Sequence, residues 1–321
     1  MSQPTLAIVI VSWNTREDVL ACLASLRQAG LAVPHAIWVV DNASTDGSAE
    51  AIAASHPEAR LISAPTNLGF ARGNNVALAQ VEADHVLLLN PDTLVAPGQL
   101  ERLVAHLEAH PRVGAVGPRL VFGDGSYQLS AMPFVAPWDL YWEHARFPAA
   151  LQPAAQRQPR RLYAFPEAGA REVDMVIGAA LMVRREVLSR VGPLDEGYFM
   201  YGEEMDWCWR IRQAGWRVEW LADATVTHLG GRAAAHVPLP TIAHRFGSSF
   251  RFLRLHRGPR AERWARLAVA LASVQNVAWG AVRLALGREP RDSWGRGLAE
   301  ARVALATAWR GRAAGIGPQG G

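Results

Sequence analysis

The sequence predicts an α/β fold, a doubly wound and mostly parallel sheet flanked by helices, followed by a helical tail. Three observations predict it. Short apolar runs alternate with segments of helical spacing from Leu6 to Gly117. Polar turns, several carrying glycine, follow the apolar runs. The run Val86 to Leu89, too short for a membrane span, stops abruptly at Asn90-Pro91-Asp92. It reads as a strand buried on both faces, which proline, lacking an N–H, cannot extend. Asp92 is thereby delivered to the carboxyl end of its strand, where open α/β sheets bind ligands.

In order, Leu6 to Trp13 reads as a strand, and Arg16 to Ala29 as a helix with Val19, Leu20, Leu23 and Leu26 on one face, closed at Gly30. A strand at Ala36 to Val40 ends in the turn Asp41 to Gly47, before a helix over Ser48 to Ser55 and a strand at Arg60 to Ser63. Asn67 to Asn75 opens a helix running to Val81. After the Asn90-Pro91-Asp92 strand come a helix from about Pro97 to Ala109 and a strand at Val113 to Gly117. Periodicity is lost from Phe122 to Glu172, and proline, alanine, glutamine and arginine dominate Phe147 to Pro166, which reads as a long loop. Val173 to Val183 reads as one apolar strand, followed by a short helix ending near Gly192. A helix at Glu203 to Ala214 and strands at Arg217 to Leu221 and Thr225 to His228 complete a domain over residues 1–240.

The remainder, 241–321, reads as a helical tail of distinct composition. All 33 basic residues are arginine, with a formal net charge of +4. Arginines crowd the chain beyond about residue 245, alternating with Phe246, Phe250, Phe252, Leu253, Leu255 and Trp264. The pattern suggests a helix lying on an anionic membrane or, alternatively, packed on the domain or a second subunit as a dimer contact. Gln275, Asn276 and Arg283 argue against a transmembrane helix over Leu267 to Leu286, and no nucleic-acid-binding motif accompanies the charge. Cys22 and Cys208, with no metal-ligand spacing, imply a reducing compartment, and the N-terminus lacks a secretory signal pattern, so a cytoplasmic location is expected.

Carboxylates stand where three predicted strands or helices meet turns: Asp41 with Asp46, Asp92, and Glu203, Glu204 and Asp206. Asp46 alone reads first as a turn or helix cap, and the last three as acids favoured in a first helical turn. Strand-end carboxylates converging on one rim are the ligands a hard divalent cation bridging phosphates needs. A lysine-free chain has no P-loop. Gly69-Phe70-Ala71-Arg72-Gly73 lacks the dinucleotide-binding order, and the chain contains no Gly-x-Ser-x-Gly elbow.

Ile8 to Asn14, Val39 to Gly47, Asn67 to Asn75, Leu89 to Asp92 and Tyr201 to Arg210 resemble, in order, the successive motifs of glycosyltransferase family 2, most closely its rhamnosyltransferase-like branch, over about residues 5 to 230. The resemblance implies a GT-A fold and inverting transfer from a nucleotide-diphosphate sugar. It implies donor contacts at Ser12, Asn14, Asp41, Asn42, Asp46, Asn67, Gly69, Arg72, Gly73, Asn74, Asn90 and Gly178, with Asp41 holding the pyrimidine or ribose. Asp92 and His228 would carry Mg²⁺ or Mn²⁺, although Asn90 replaces the first acid of the family's Asp-x-Asp. The base that deprotonates the acceptor falls on Glu204, or else on Asp206. Arg119 could contact phosphate, and Trp138, Tyr141 and Trp142 could stack on an acceptor, although ordinary packing or surface roles fit them equally.

The expectation is a metal-dependent, inverting hexosyltransferase peripherally bound to the inner face of the plasma membrane. It would take dTDP-L-rhamnose as first choice of donor and a lipid-linked saccharide as acceptor in polysaccharide biosynthesis. Galactofuranose, N-acetylglucosamine or mannose transfer is the alternative, as is a catalytically silent membrane scaffold.

Overall fold

A computed structural model describes residues 5–147, 168–230, 238–288 and 290–309; part of the predicted loop, at 148–167, lies outside them. The chain forms two compact units, one containing the described residues up to 134 with 168–199 and 203–230, the other 135–147, 200–202 and the described residues from 238 onward.

The first unit is built on β1 (Leu6–Ser12), whose seven residues are all buried. With α1 (Arg16–Ala29), β2 (His35–Asp41), α2 (Ser48–Ser55), β3 (Arg60–Ser63), α3 (Gly69–Leu78) and β4 (His85–Leu89) it forms a parallel wing in the order β3-β2-β1-β4. Continuous apolar runs are what strands covered on both faces require. The α1 face predicted from spacing, Val19, Leu23 and Leu26, packs in the main core with Ile8, Ile10 and Leu87, and Leu20 lies against it partly buried.

Beyond β4 come β5 (Thr93–Val95), α4 (Gln99–Ala109), β6 (Val113–Val121), β7 (Tyr127–Gln128), β8 (Ala131–Met132), β9 (Ala170–Glu172), β10 (Met175–Val176), β11 (Ala180–Arg184), α6 (Arg185–Val191), α7 (Glu203–Gln213) and β12 (Arg217–His228); α5 lies in the second unit. The sheet continues β4-β11-β6-β12-β5, with β6 and β12 parallel and β11, β5, β7 and β9 antiparallel to their neighbours. This is an α/β sheet of GT-A type.

Two strand readings are corrected. The expected single strand Val173 to Val183 is two strands in different sheets: Met175–Val176 pairs with β8, whereas Ala180–Arg184 inserts between β4 and β6. The chain changes sheets at Ile177-Gly178-Ala179, where Ile177 N donates to Ser130 O and Asn90 N donates to Ala179 O. Conversely, the two strands expected between Arg217 and His228 are one, with a register shift between Leu221 and Thr225. Leu221 lies opposite Pro118, which has no N–H for the ladder, and Ala222 instead donates to Gly169 O.

The second unit contains α5 (Asp139–His144), α8 (Pro238–Ala285), broken at Gly258 before Pro259, and α9 (Arg291–Trp309), which the sequence reading did not resolve. Phe246, Phe250, Phe252 and Leu253, which alternate with arginines in the sequence, are buried. Ala265, Ala268 and Ala272 on α8 and Ala301 and Ala304 on α9 are buried, and a Cβ at Gly280 would come within 2.5 Å of the Trp294 ring. Arg266, from the arginine series, caps α9 by donating to Thr307 O and Ala308 O. Gln275 and Asn276, the polar residues inside the apolar stretch, bind α5 and the chain just after it. Tyr141 Oη donates to Gln275, Asn276 Nδ2 donates to His144 O, and Arg146 N donates to Asn276 Oδ1. By length and composition alone, one helix among the described residues, Leu239–Ala285, is long and apolar enough to cross a membrane.

His144 sits 3.1 Å from the buried Ser273 hydroxyl. Burial, with Arg146 and Arg245 nearby, pushes its pKa down to about 4. Below its unfolded value of about 6.5 the unfolded chain binds a proton that the folded chain refuses, so stability falls as pH drops from 6.5 to 4. Thermal melts across this window should show an acid loss that His144→Gln diminishes; an unaltered pH slope would contradict it.

Candidate active site

The strand order carries the candidate residues to one rim. Antiparallel pairing sets His228 opposite Thr93, and Leu229 N donates to Asp92 O, so the residue after Pro91 is held beside the end of β12. His228 Nε2 lies 3.2 Å from Asp92 Oδ1 and 3.4 Å from Asn90 Nδ2. Both Asp92 and His228 are buried, at 6% and 7% exposure. Thr93 Oγ1 donates to Asn90 O and fixes the turn. Gln128, inside the stretch read as irregular, supplies Oε1 3.0 Å from His228 Nδ1. The signal was present in Asp124-Gly125, a hairpin dipeptide between β6 and β7.

Among the described residues no three His, Cys, Asp or Glu side chains gather as a metal site. The Asp92–His228 pair nevertheless fits a divalent ion of the kind that takes one or two protein ligands plus phosphate oxygens and water. Adjacent ligands of an octahedral ion with bonds of about 2.1 Å stand about 3 Å apart, close to the separation of this pair.

The turns after β1 and β2 are stitched together by the predicted donor residues. Asn14 Oδ1 accepts from Thr45 N, and Asn14 N donates to Ser44 Oγ. Asn14 and Ala43 both hold positive φ, at 50° and 62°, a strained conformation the sequence did not announce. Ser12 Oγ bonds Thr15 Oγ1. Asp46 accepts from Arg16 N, Ser48 N and Ser48 Oγ, joining the starts of α1 and α2. Burial would raise its pKa, but the Ser48 and Arg16 hydrogen bonds outweigh that and hold it below the ordinary value. Asn42 donates to Asn67 Oδ1 and Gly69 O and accepts from Leu68 N, tying the β2 turn to α3. Asn67 Oδ1 also accepts from Gly69 N, and Asn74 donates to Phe70 O. Gly73 faces β1, where a Cβ would lie 3.0 Å from Val11. Arg72 is 61% exposed, with Glu196 at 3.9 Å.

Asp41 differs from these. Only 4% exposed, it accepts from Ser44 N through Oδ2 at 3.3 Å, while its Oδ1 is buried without a hydrogen-bond partner among the described residues. Leaving a buried acceptor unpaired costs about 1–3 kcal/mol, which a ligand N–H or O–H would recover.

The acids of α7 face three ways. Glu203 is buried. Asp206, 2% exposed, accepts from Arg210 Nε at 2.7 Å, and Arg210 also donates to Val191 O and Pro193 O, so this pair locks α7 against the end of α6. Glu204 is half-buried, its Cβ 3.7 Å from where a Cβ at Gly178 would stand, and that position is 3.5 Å from the Phe70 ring. The missing side chain at Gly178 thus leaves a small space bounded by Phe70 and Glu204.

Residues 7–192 match the sequence profile described as glycosyl transferase family 2. The chain is 31% identical over 262 residues to the N-acetylglucosaminyl-diphospho-decaprenol L-rhamnosyltransferase of Mycobacterium tuberculosis, covering 77% of this chain and 83% of that protein. It is 24% identical over 205 residues to the Escherichia coli rhamnosyltransferase WbbL, covering 59% of this chain and 71% of that one. The fold is similar to that of the mannosyltransferase PcManGT from Pyrobaculum calidifontis, solved with GDP-Man and Mn²⁺, with a TM-score of 0.56 at 19% identity over 97% of this chain and 88% of that chain. With more than half its length matched by the profile and a relative above 30% identity, the chain belongs to glycosyltransferase family 2.

Proposed function

We propose that this glycosyltransferase transfers L-rhamnose, with inversion, from dTDP-L-rhamnose to a lipid-linked saccharide. The rhamnose and the lipid diphosphate acceptor are supported by the 31% identical mycobacterial relative, whose name states both. The observation that carries the metal-dependent chemistry is the buried Asp92–His228 pair beside Asn90.

In this reading, the unpaired oxygen of Asp41 receives a hydrogen bond from the donor's base or ribose. Ser12, Asn14, Asn42, Asp46, Asn67, Gly69, Gly73 and Asn74 shape the turns that hold the nucleotide, and Arg72, at the exposed face of α3, screens its phosphates. Asp92 and His228, with Asn90 beside them, hold Mg²⁺ or Mn²⁺. When bound, that ion neutralises charge on the departing diphosphate. Gly178 leaves room for the sugar, and Glu204, at the edge of that room, takes the proton of the acceptor hydroxyl as it attacks the anomeric carbon opposite the diphosphate. Asp206, held by Arg210, positions the helix that carries Glu204.

The second unit supplies the peripheral contact with an anionic membrane at the cytoplasmic face. Trp264, Leu267, Leu271 and Val274 recur at helical spacing and are 42–59% exposed, with Arg260 and Arg263 also exposed on the same segment after the Gly258 break. Leu271→Glu should release the protein from anionic vesicles; unchanged flotation would refute this contact.

The reaction is tested by nucleoside-diphosphate release from a panel of dTDP-, UDP- and GDP-sugars with crude lipid extract, with and without a chelator. Release from dTDP-L-rhamnose alone, abolished by chelation, is the expected result. Preference for another donor would overturn the rhamnose assignment, and release indifferent to chelation would overturn the metal assignment.

A further inference from the structure

His228 has two ring nitrogens with different neighbours, and Gln128 decides between them. Gln128 sits on β7, opposite Leu120 of β6, and its Oε1 lies 3.0 Å from His228 Nδ1. The other end of the amide, Nε2, is 3.7 Å from where a Cβ at Gly230 would stand. A carboxamide oxygen only accepts hydrogen bonds, so Nδ1 is the nitrogen that carries hydrogen. In the neutral ring the lone pair then lies on Nε2, which faces Asp92 Oδ1 at 3.2 Å. A carboxylate oxygen also only accepts. Two acceptors this close favour a cation, a proton or a metal ion, between them, and Asn90 Nδ2 stands 3.4 Å from the same ring nitrogen.

We propose that Gln128 is a positioning residue. It fixes the His228 tautomer with the Nε2 lone pair directed at Asp92 and so sets the affinity of the site for a divalent cation. Outer partners of ligating histidines act in this way elsewhere, orienting the ring and selecting the nitrogen that binds. The proposal rests on the reading of Asp92 and His228 as the cation site.

The test is Mn²⁺ binding to the full chain in the presence of dTDP, followed through the electron paramagnetic resonance of free Mn²⁺. Gln128→Leu, which removes the acceptor, should weaken binding about 10–100-fold. Gln128→Glu, which keeps an acceptor and cannot donate, should stay within about threefold of the parent protein. In the metal-free parent, ¹⁵N resonances of His228 should report hydrogen on Nδ1, a readout that needs no variant to fold. Unchanged binding in Gln128→Leu alongside loss in Asp92→Asn would overturn the role of Gln128 while leaving the cation site intact. Unchanged binding in Asp92→Asn would overturn the cation reading itself. Equal losses in Gln128→Glu and Gln128→Leu, or hydrogen found on Nε2 alone, would show that the amide donates and would overturn the tautomer assignment.

Discussion

Glu204→Gln is expected to lower turnover by about 10²–10⁴-fold, the contribution of a positioned general base in the proposed mechanism, while donor affinity stays within about threefold of the parent protein. The split follows from where the acids of α7 lie. Asp206 is spent on Arg210 and Glu203 is buried, whereas Glu204 stands beside the space left by Gly178 and Phe70. Glutamine preserves size and hydrogen bonding but cannot accept the acceptor's proton. Since Asp41, Asp92 and His228 are untouched, donor binding should persist. The measurement is steady-state turnover together with dTDP-L-rhamnose binding by calorimetry. Retained turnover would remove Glu204 from the role; lost binding would make it a donor ligand instead. Asp206→Asn is the companion variant, expected to lower the melting temperature more than it changes the ratio of turnover to folded protein.

Gly69→Ala is expected to unfold or severely loosen the first unit. Gly69 opens α3 at φ 77°, and a Cβ there would stand 2.3 Å from Phe199 O, a backbone atom that cannot swing aside as a flexible side chain can. Phe70 N donates to that same carbonyl at 2.7 Å, and Gly69 O accepts from Asn42. The substitution therefore combines unfavourable φ with a steric clash and strained hydrogen bonds, together about 2–4 kcal/mol, a large part of a domain's net stability. Phe199 closely precedes α7 in the chain, so the displacement also threatens the placement of Glu204. A chemical-denaturation midpoint within experimental error of the parent would contradict this account. By contrast, a Cβ at Gly178 would make only ordinary contacts, at 3.5 Å and beyond, so that glycine serves open space rather than stability.

Local signals in the sequence read well where the chain folds on itself nearby. The bounds of α1, α2 and β3 follow from apolar spacing and turn residues, and the strand-ending Asn90-Pro91-Asp92 follows from proline's missing N–H. What escaped depends on distant partners. The apolar run Val173 to Val183 has no alternation to show that Asn90 and Ser130 would draw its halves into different sheets. Gln128 lies in a two-residue strand, too short to show a period, and its importance exists only because β12 brings His228 alongside. In the tail, arginines alternating with apolar residues suggested an amphipathic helix lying on a membrane or packed on protein. The phenylalanines between them fill the interior of the second unit, and the exposed apolar stripe starts after the Gly258 break. Among the candidate residues, Asp41, Asp92 and Glu204 stood out as strand-end or helix-start acids, and His228 through the family resemblance. That Asn42 and Asn67 are occupied within the turns could be seen only in three dimensions.

The most direct test of the account is transfer itself. The purified protein, dTDP-L-rhamnose, Mg²⁺ or Mn²⁺ and synthetic N-acetylglucosaminyl-diphospho-polyprenol are combined, and the lipid product is read by mass spectrometry and by anomeric NMR. The account predicts one added rhamnose, of anomeric configuration opposite to that of the donor. An unmodified lipid under conditions where another nucleotide sugar is transferred, or a product that retains the donor configuration, would contradict it.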